Sequence, residues 1–153
     1  MESDHLKRLY RNIEVLKSIL TDKEVKKLDF DLLQRVIMRL NSFDCNECGG
    51  YLQEIDEHTK MLIEKGNPVD KSDFKEYHKK ISGIISHLEK EHKLVREGYY
   101  MSVYMSIGMS IGLVFGLAVF ENNIALGLPI GMSIGIAIGS GLDADAKKKG
   151  RII

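Results

Sequence analysis

The chain has 153 residues with 22 basic and 22 acidic side chains, and its mean hydropathy of −0.14 is typical of a neutral, soluble domain. Two cysteines are too few for a disulfide scaffold, and the charge balance excludes a nucleic-acid binder that depends on excess positive charge. The average hides two unlike parts, because residues 1–98 hold 18 basic and 19 acidic side chains, whereas residues 99–142 hold one charge, Glu121.

Residues 1–98 have the apolar periodicity of amphipathic helices, and no strand pattern competes with it. Apolar residues recur at helical spacing over residues 6–20 and predict the first helix. A capping box over residues 21–24 starts the next segment. The apolar stripe over residues 32–40 then predicts a second helix that ends around residues 41–44.

Two longer helices are predicted next. The third covers residues 47–65 and ends at the turn over residues 66–68. The fourth begins near Ser72 and carries apolar residues as far as Val95, and it is expected to continue into the following apolar segment with Gly98 as a hinge. Because the connections are short, we expect an all-α fold with a cytoplasmic antiparallel bundle of about four helices.

The motif with the most chemical content is the sequence Cys-Asn-Glu-Cys-Gly-Gly at residues 45–50, which has the form of a zinc knuckle. Such a turn points two thiolates at one metal ion, so two further ligands must come from elsewhere in the chain. If the third and fourth helices are antiparallel about residues 66–71, Cys45 lies level with His92, and Cys48 lies level with Glu89. Glu89 and His92 are three residues apart and therefore share a helical face.

The predicted metal ligands, with zinc as the candidate ion, are Cys45, Cys48, His92 and Glu89, with His87 as the alternative fourth ligand. His87 is the poorer partner for His92, because five residues rotate a helix by about 140°. His58 lies roughly 15 Å along the third helix from Cys48, too far to share its metal. Two other interpretations stay open: an inert reduced dithiol with His92 at the rim of the bundle, or a redox-active pair near a helix amino terminus.

Residues 99–142 have the composition of a transmembrane hairpin. Residues 99–120 and 124–142 form two uncharged runs, each long enough to cross a hydrocarbon layer of about 30 Å as a helix. The polar turn over residues 121–123 is so short that the two helices must be antiparallel neighbours. The alternative, two buried helices of a soluble protein, is disfavoured because residues 1–98 already need their own core.

The basic residues predict the orientation of the hairpin. Lys90, Lys93 and Arg96 precede the first span, and four more cations lie in the tail over residues 143–153. The turn has none, so the positive-inside rule places both chain termini in the cytoplasm. The amino terminus lacks the apolar core of a signal peptide, so the hairpin is expected to act as the targeting element.

Glycines recur every four residues on both predicted spans, as in a glycine zipper. These helix-packing residues are Gly108, Gly112, Gly116, Gly127, Gly131, Gly135 and Gly139. Residues 107–116 and 130–139 are also an internal repeat with seven identical positions of ten. Each glycine series forms a ridge without side chains that lets another helix approach closely. The ridges either pack the two helices of one hairpin together or join several hairpins in a homo-oligomer.

The tail of the chain resembles a known family. Residues 121–151 combine a polar turn, an Ile-Ala-Leu-Gly start, regular glycines and a Lys-rich end. With residues 99–120 before them, they are similar to the glycine-zipper two-span membrane proteins of Gram-positive bacteria, which are mostly uncharacterised. The resemblance implies a multi-pass protein of the bacterial plasma membrane, with the lipid bilayer as its surroundings. It implies no catalytic residue.

Three functions follow from these patterns. The first is a membrane scaffold that self-associates through its hairpin and presents the helical bundle to a protein partner in the cytoplasm or membrane. The second is a membrane-bound zinc or thiol-redox sensor that uses Cys45, Cys48 and His92. The third is an oligomeric channel or membrane-permeabilising protein, although the hairpin offers only serines as a polar pore lining. No catalytic triad, phosphate loop or paired-carboxylate motif is evident, so we expect neither an enzyme nor a nucleic-acid partner.

Overall fold

A computed structural model describes residues 2–66, 69–119 and 123–153, and within them the chain is all-α, as predicted. Its helices are α1 (Glu2–Ile19), α2 (Asp22–Leu28), α3 (Phe30–Asn41), α4 (Asn46–Lys65), α5 (Lys71–Glu91), α6 (Tyr99–Ala118) and α7 (Ile124–Lys148). They form two compact units, Met1–His92 and Lys93–Ile153. The predicted turn residues Glu121 and Asn122 lie outside the described residues, as do Asn67 and Pro68.

The first unit is a bundle of five helices around an aliphatic core. α1 packs on α4, and α3 packs on both α4 and α5. Most of the core consists of side chains that the amphipathic pattern placed inward, the most buried being Leu9, Ile13, Leu33, Val36, Ile37, Leu40, Leu62, Ile84 and Leu88. Leu28 of α2, for which the pattern made no prediction, is equally buried. Burial of these side chains supplies the main driving force for folding of this unit.

The predicted second helix is α3, and the segment that begins at the capping box before it is a separate helix, α2, so this unit has five helices where about four were expected. α2 begins at the predicted capping box, in which Thr21 and Glu24 hydrogen-bond each other, and it ends at Asp29. Asp29 has a left-handed backbone, with φ of 45°, which ends the helix. Its side chain accepts a hydrogen bond from the amide of Leu32 and so caps α3. An aspartate tolerates this conformation better than most residues, and the sequence pattern alone did not show the break.

The fourth predicted helix does not continue into the apolar segment. α5 ends at Glu91, and α6 begins at Tyr99. Lys93 and Gly98 between them have positive φ angles of 54° and 73°, which a helix cannot contain. Val95, predicted on the helix, instead exchanges backbone hydrogen bonds with the chain around Ile152 in a single parallel bridge.

α4 and α5 lie antiparallel, in the register expected from the sequence. At one end Lys65 pairs with Asp73 at 2.7 Å, and further along Glu54 pairs with Lys80 at 2.7 Å. These two ion pairs show which residues of the two helices lie level with each other. The same register brings the amino-terminal end of α4 beside the carboxyl-terminal end of α5.

A buried carboxylate joins α1 to α4. Asp56 is 2 % exposed, and it accepts hydrogen bonds from Arg8 and Asn12 at 2.9 Å and from Lys60 at 2.7 Å. Burial acts to raise the pKa of Asp56, but its hydrogen bonds and the charges of Lys60 and Arg8 outweigh burial, so the pKa lies below its usual value. The carboxylate therefore stays ionised and satisfied at neutral pH.

The second unit contains the hairpin of α6 and α7. Both helices are long and apolar enough to cross a membrane, and only 17 % and 22 % of their most apolar windows are buried. Large side chains such as Val114 and Ile134 point outward, with exposed fractions of 64 % and 55 %. Low burial does not fit the core helices of a soluble protein, so the alternative of two buried soluble helices is disfavoured.

The glycines of the two helices face each other within one hairpin, and all seven are buried. A Cβ added at Gly112 would lie 2.6 Å from the carbonyl oxygen of Gly127, closer than real side-chain atoms come. Gly108 and Gly131 meet in the same way, backbone to backbone. The glycines therefore pack the two helices of one hairpin against each other. This is the intramolecular arrangement of the two that the spacing allows.

The end of α7 holds the start of α6. α7 extends to Lys148, past the apolar run, and Asp143 accepts hydrogen bonds from the amides of Tyr100 and Met101 at 3.1 and 3.0 Å. These amides belong to the first turn of α6 and have no partner within the helix. Asp143 thus caps a helix from a neighbouring helix.

We expect Gly131→Ala to destabilise the hairpin by about 1–3 kcal/mol, the usual cost of overpacking. The added methyl group would lie 2.7 Å from the backbone of Gly112 and still closer to the carbonyl oxygen of Gly108. Resistance of the purified protein in mild detergent to added denaturing detergent, followed by circular dichroism, measures the effect. Gly141→Ala is the matched control, because a Cβ at Gly141 of the same helix meets nothing within 4 Å. Equal stability of the two variants would contradict the packing described.

His58 gives the first unit a dependence on pH. Its side chain is 7 % exposed, and its Nε2 atom has no hydrogen-bond partner among the described residues. Burial lowers its pKa from the ordinary value of 6.5, and the charges of Glu76, Lys80, Asp73 and Glu54 around the ring change this less than burial does.

Because the folded pKa of His58 is depressed, the unfolded chain binds the proton first as the pH falls. We expect the free energy of unfolding to be highest above pH 6.5 and to decrease as the pH falls below that value. Urea titrations of the wild type and His58→Leu across this range test the prediction. The difference between the two proteins isolates His58 from shared contributions, and parallel curves would contradict it.

Candidate metal centre

Helix ends bring four potential metal ligands together. Cys45 is the N-cap residue of α4, with an extended backbone, and Cys48 follows in the first turn of that helix. His87 lies near the end of α5, and His92 is its C-cap residue. Because α4 and α5 are antiparallel, these two ends are neighbours.

The four donor atoms all lie within 4.8 Å of one another. Cys48 Sγ is 3.2 Å from His92 Nε2 and 3.5 Å from His87 Nε2, and Cys45 Sγ is 3.7 Å from His87 Nε2. In a tetrahedral zinc site, bonds of about 2.3 Å to sulfur and about 2.0–2.1 Å to nitrogen place these atoms about 3.6 Å apart. These three sulfur–nitrogen separations, 3.2 to 3.7 Å, lie close to that spacing, so the residues present fit a zinc ion.

Other side chains hold both imidazole rings in place. Glu47 Oε2 is 2.9 Å from His87 Nδ1, on the side of the ring away from the sulfur atoms. The ring of Phe43 stacks on His92 with centroids 3.9 Å apart. Cys48 is fully buried, and His87 is 8 % exposed. Two of the four ligands are therefore buried, while Cys45 and His92 are half-buried.

Cys48 lacks the low pKa of a redox-active cysteine. Burial, reinforced by the neighbouring Cys45 thiol and the charge of Glu47, raises the pKa of Cys48 to about 12. Redox-active cysteines depend on the opposite shift, because the thiolate is the nucleophile. A bound cation would replace the proton of such a thiol, which is a common property of zinc sites.

Among the predicted ligands, the structure brings Cys45, Cys48 and His92 together, and it adds His87, the alternative fourth ligand. Glu89 lies on α5 outside this cluster. The sequence argument preferred Glu89 because it assumed that His92 continued the helix. α5 ends at Glu91, and the backbone of His92, with φ of −103° and ψ of 3°, is not helical. The position of its ring therefore does not follow from helical spacing. The ring lies beside that of His87, at a centroid distance of 5.2 Å.

Sequence reasoning missed the two side chains that orient the histidines. Glu47 lies inside the Cys-x-x-Cys motif, and Phe43 lies two residues before it. Zinc-bound histidines usually donate their second N–H to a carboxylate or carbonyl group. The acidic residue inside the Cys-x-x-Cys motif could therefore have been predicted as such an acceptor. Phe43 carries no comparable signal.

The comparison with known proteins concerns the other unit. Residues 91–145 match the family model described as glycine zipper membrane protein. The match spans both helices of the hairpin and all seven zipper glycines, about a third of the chain. It agrees with the glycine-zipper membrane part of the resemblance seen in the sequence and, with the two apolar helices, supports a membrane protein. No curated protein and no solved structure matches this chain. Cys45, Cys48 and His87 lie outside the glycine-zipper match.

Proposed function

We propose that this glycine-zipper protein is a membrane-anchored scaffold whose amino-terminal helical bundle is held together by a structural zinc ion. The observation that carries the proposal is the convergence of Cys45, Cys48, His87 and His92, with all donor atoms within 4.8 Å. Zinc would be held by two thiolates and two imidazoles, a ligand set typical of structural sites. When bound, it would cross-link the start of α4 to the end of α5.

The ligand set also supports a non-enzymatic role. Catalytic zinc sites keep a coordination position for water or substrate, whereas four protein ligands complete a tetrahedron. A metal sensor would use the same four residues. A structural site retains zinc through purification, whereas a sensor exchanges it at physiological concentrations, so the measured affinity separates the two roles.

We propose further that the protein lies in a bacterial plasma membrane with both termini in the cytoplasm. The support is the distribution of cations, which flank both spans and are missing from the intervening turn. A cytoplasmic bundle also suits a thiolate site, since thiols stay reduced there.

We expect the full-length protein, purified under reducing conditions, to contain about one zinc ion per chain. Cys48→Ser and His87→Ala should each weaken zinc binding by more than the roughly 10–100-fold that loss of an outer-shell partner costs. Elemental analysis gives the stoichiometry, and competition with a chromogenic chelator gives the affinity. Cobalt substitution reports tetrahedral sulfur ligation through its absorption spectrum.

Glu89→Gln is the matched control for these variants. Glu89 lies on α5 between the two histidines but outside the cluster, so its zinc content and affinity should equal those of the wild type. Wild-type protein without zinc would refute the metal centre. Loss of zinc in Glu89→Gln would refute the ligand assignment.

We also propose that the hairpin self-associates, and the support is a second row of small residues on α6. Ser102, Ser106 and Ser110 are exposed, and each hydroxyl donates to the carbonyl oxygen four residues earlier. The single donor of each hydroxyl is thus used within the helix, and the row presents a narrow surface that lets another helix approach.

Ser106→Leu should lower the dimer fraction in lipid bilayers several-fold, because a bulky side chain would keep two α6 helices apart. Single-molecule photobleaching in liposomes at low protein density measures that fraction. Ser133→Leu on α7 is the control, since Ser133 is exposed and bonded to its own helix in the same way. A monomeric wild type would contradict self-association, and equal dimer fractions in both variants would exclude the serine row as the contact.

A further inference from the structure

We infer that Glu47 is a positioning residue for the metal centre, which holds His87 in the tautomer that can bind zinc. This inference rests on the proposed zinc site. Glu47 Oε2 lies 2.9 Å from His87 Nδ1, within hydrogen-bond distance. Its carboxylate would accept the Nδ1 proton, so the Nε2 lone pair would face the two cysteines.

The two ring nitrogens of His87 have different surroundings. On one side, Nε2 lies 3.5 Å from Cys48 Sγ and 3.7 Å from Cys45 Sγ. On the other side, Nδ1 meets the carboxylate of Glu47. An ionised carboxylate only accepts hydrogen bonds, so Nδ1 must carry a proton, and in a neutral imidazole Nε2 is then the metal-binding nitrogen.

The exposure of the two partners distinguishes this contact from an ordinary surface ion pair. The side chain of Glu47 is 70 % exposed, whereas that of His87 is only 7 % exposed. Surface pairs between two solvated side chains contribute little to stability. Here a solvated acid reaches a buried ring whose other nitrogen points into the cluster, so its main effect is on the orientation and basicity of that nitrogen.

The other histidine is oriented by different means. His92 stacks on Phe43, a contact that fixes the plane of the ring without selecting a tautomer. Tyr51 also contacts the His87 ring, at a centroid distance of 5.2 Å, and likewise leaves its protonation undetermined. Among the contacts described around the two rings, the Glu47 carboxylate is therefore the one that selects the metal-binding nitrogen.

The test compares Glu47→Ala and Glu47→Gln in the full-length protein. Glu47→Ala should weaken zinc binding about 10–100-fold, as measured by chelator competition. Glu47→Gln should lose less, because its amide oxygen still accepts the Nδ1 proton. Glu57→Ala is the control, since Glu57 is an exposed glutamate on the same helix that pairs with Gln53.

Nitrogen-15 NMR of the histidine rings supplies a readout that a purely structural role would not change. In the zinc-loaded wild type, His87 should show a protonated, slowly exchanging Nδ1 and a metal-bound Nε2. In Glu47→Ala, the Nδ1 proton should exchange faster, while the His92 signals stay unchanged.

The outcomes separate the two proposals. Zinc binding by Glu47→Ala within about twofold of the wild type would overturn the role of Glu47 and leave the zinc centre intact. If Glu47→Ala lowers thermal stability but leaves zinc affinity unchanged, Glu47 acts only as a favourable negative charge at the amino terminus of α4. That result would also overturn the proposed positioning role. A wild type that binds no zinc would overturn the zinc centre itself and this inference with it.

Discussion

The antiparallel register of α4 and α5 is the constraint on which the cluster depends. Apolar side chains of both helices enter a common core, and ion pairs at Lys65 and Lys80 are consistent with the register that this packing sets. Once that register is set, the start of α4 must meet the end of α5. Two cysteines then converge with two histidines that lie 39 to 47 positions later in the sequence.

The two units are stabilised by different forces. In the bundle, folding removes aliphatic side chains from water, and the buried Asp56 adds specificity through its three partners. In the hairpin, the apolar side chains point outward, and the helices meet through glycine backbones. In lipid, association of two apolar helices gains no free energy from the hydrophobic effect, so close backbone packing must supply the attraction. The same chain therefore uses large residues to pack one unit and the smallest residue to pack the other.

Much of this architecture was predictable from sequence, because periodicity reports which faces are buried. Residue spacing predicted the long helices, the hairpin and the zipper glycines. It also predicted that Cys45 lies at the same height of the bundle as His92. The misses lie where backbone conformation departs from periodicity: Asp29 breaks a helix with a left-handed residue, and His92 leaves α5 at its cap. Glu89 was preferred to His87 for that reason, since helical-face arguments fail one residue beyond a helix end.

The carboxylate of Asp143 also bears on how the hairpin is made. Asp143 lies 43 residues after Tyr100 and 42 residues after Met101, the two residues whose amides donate hydrogen bonds to it. During synthesis these amides precede their cap, and until α7 has been made water or another acceptor must bind them. The first turn of α6 is therefore capped only once the far end of α7 has been made.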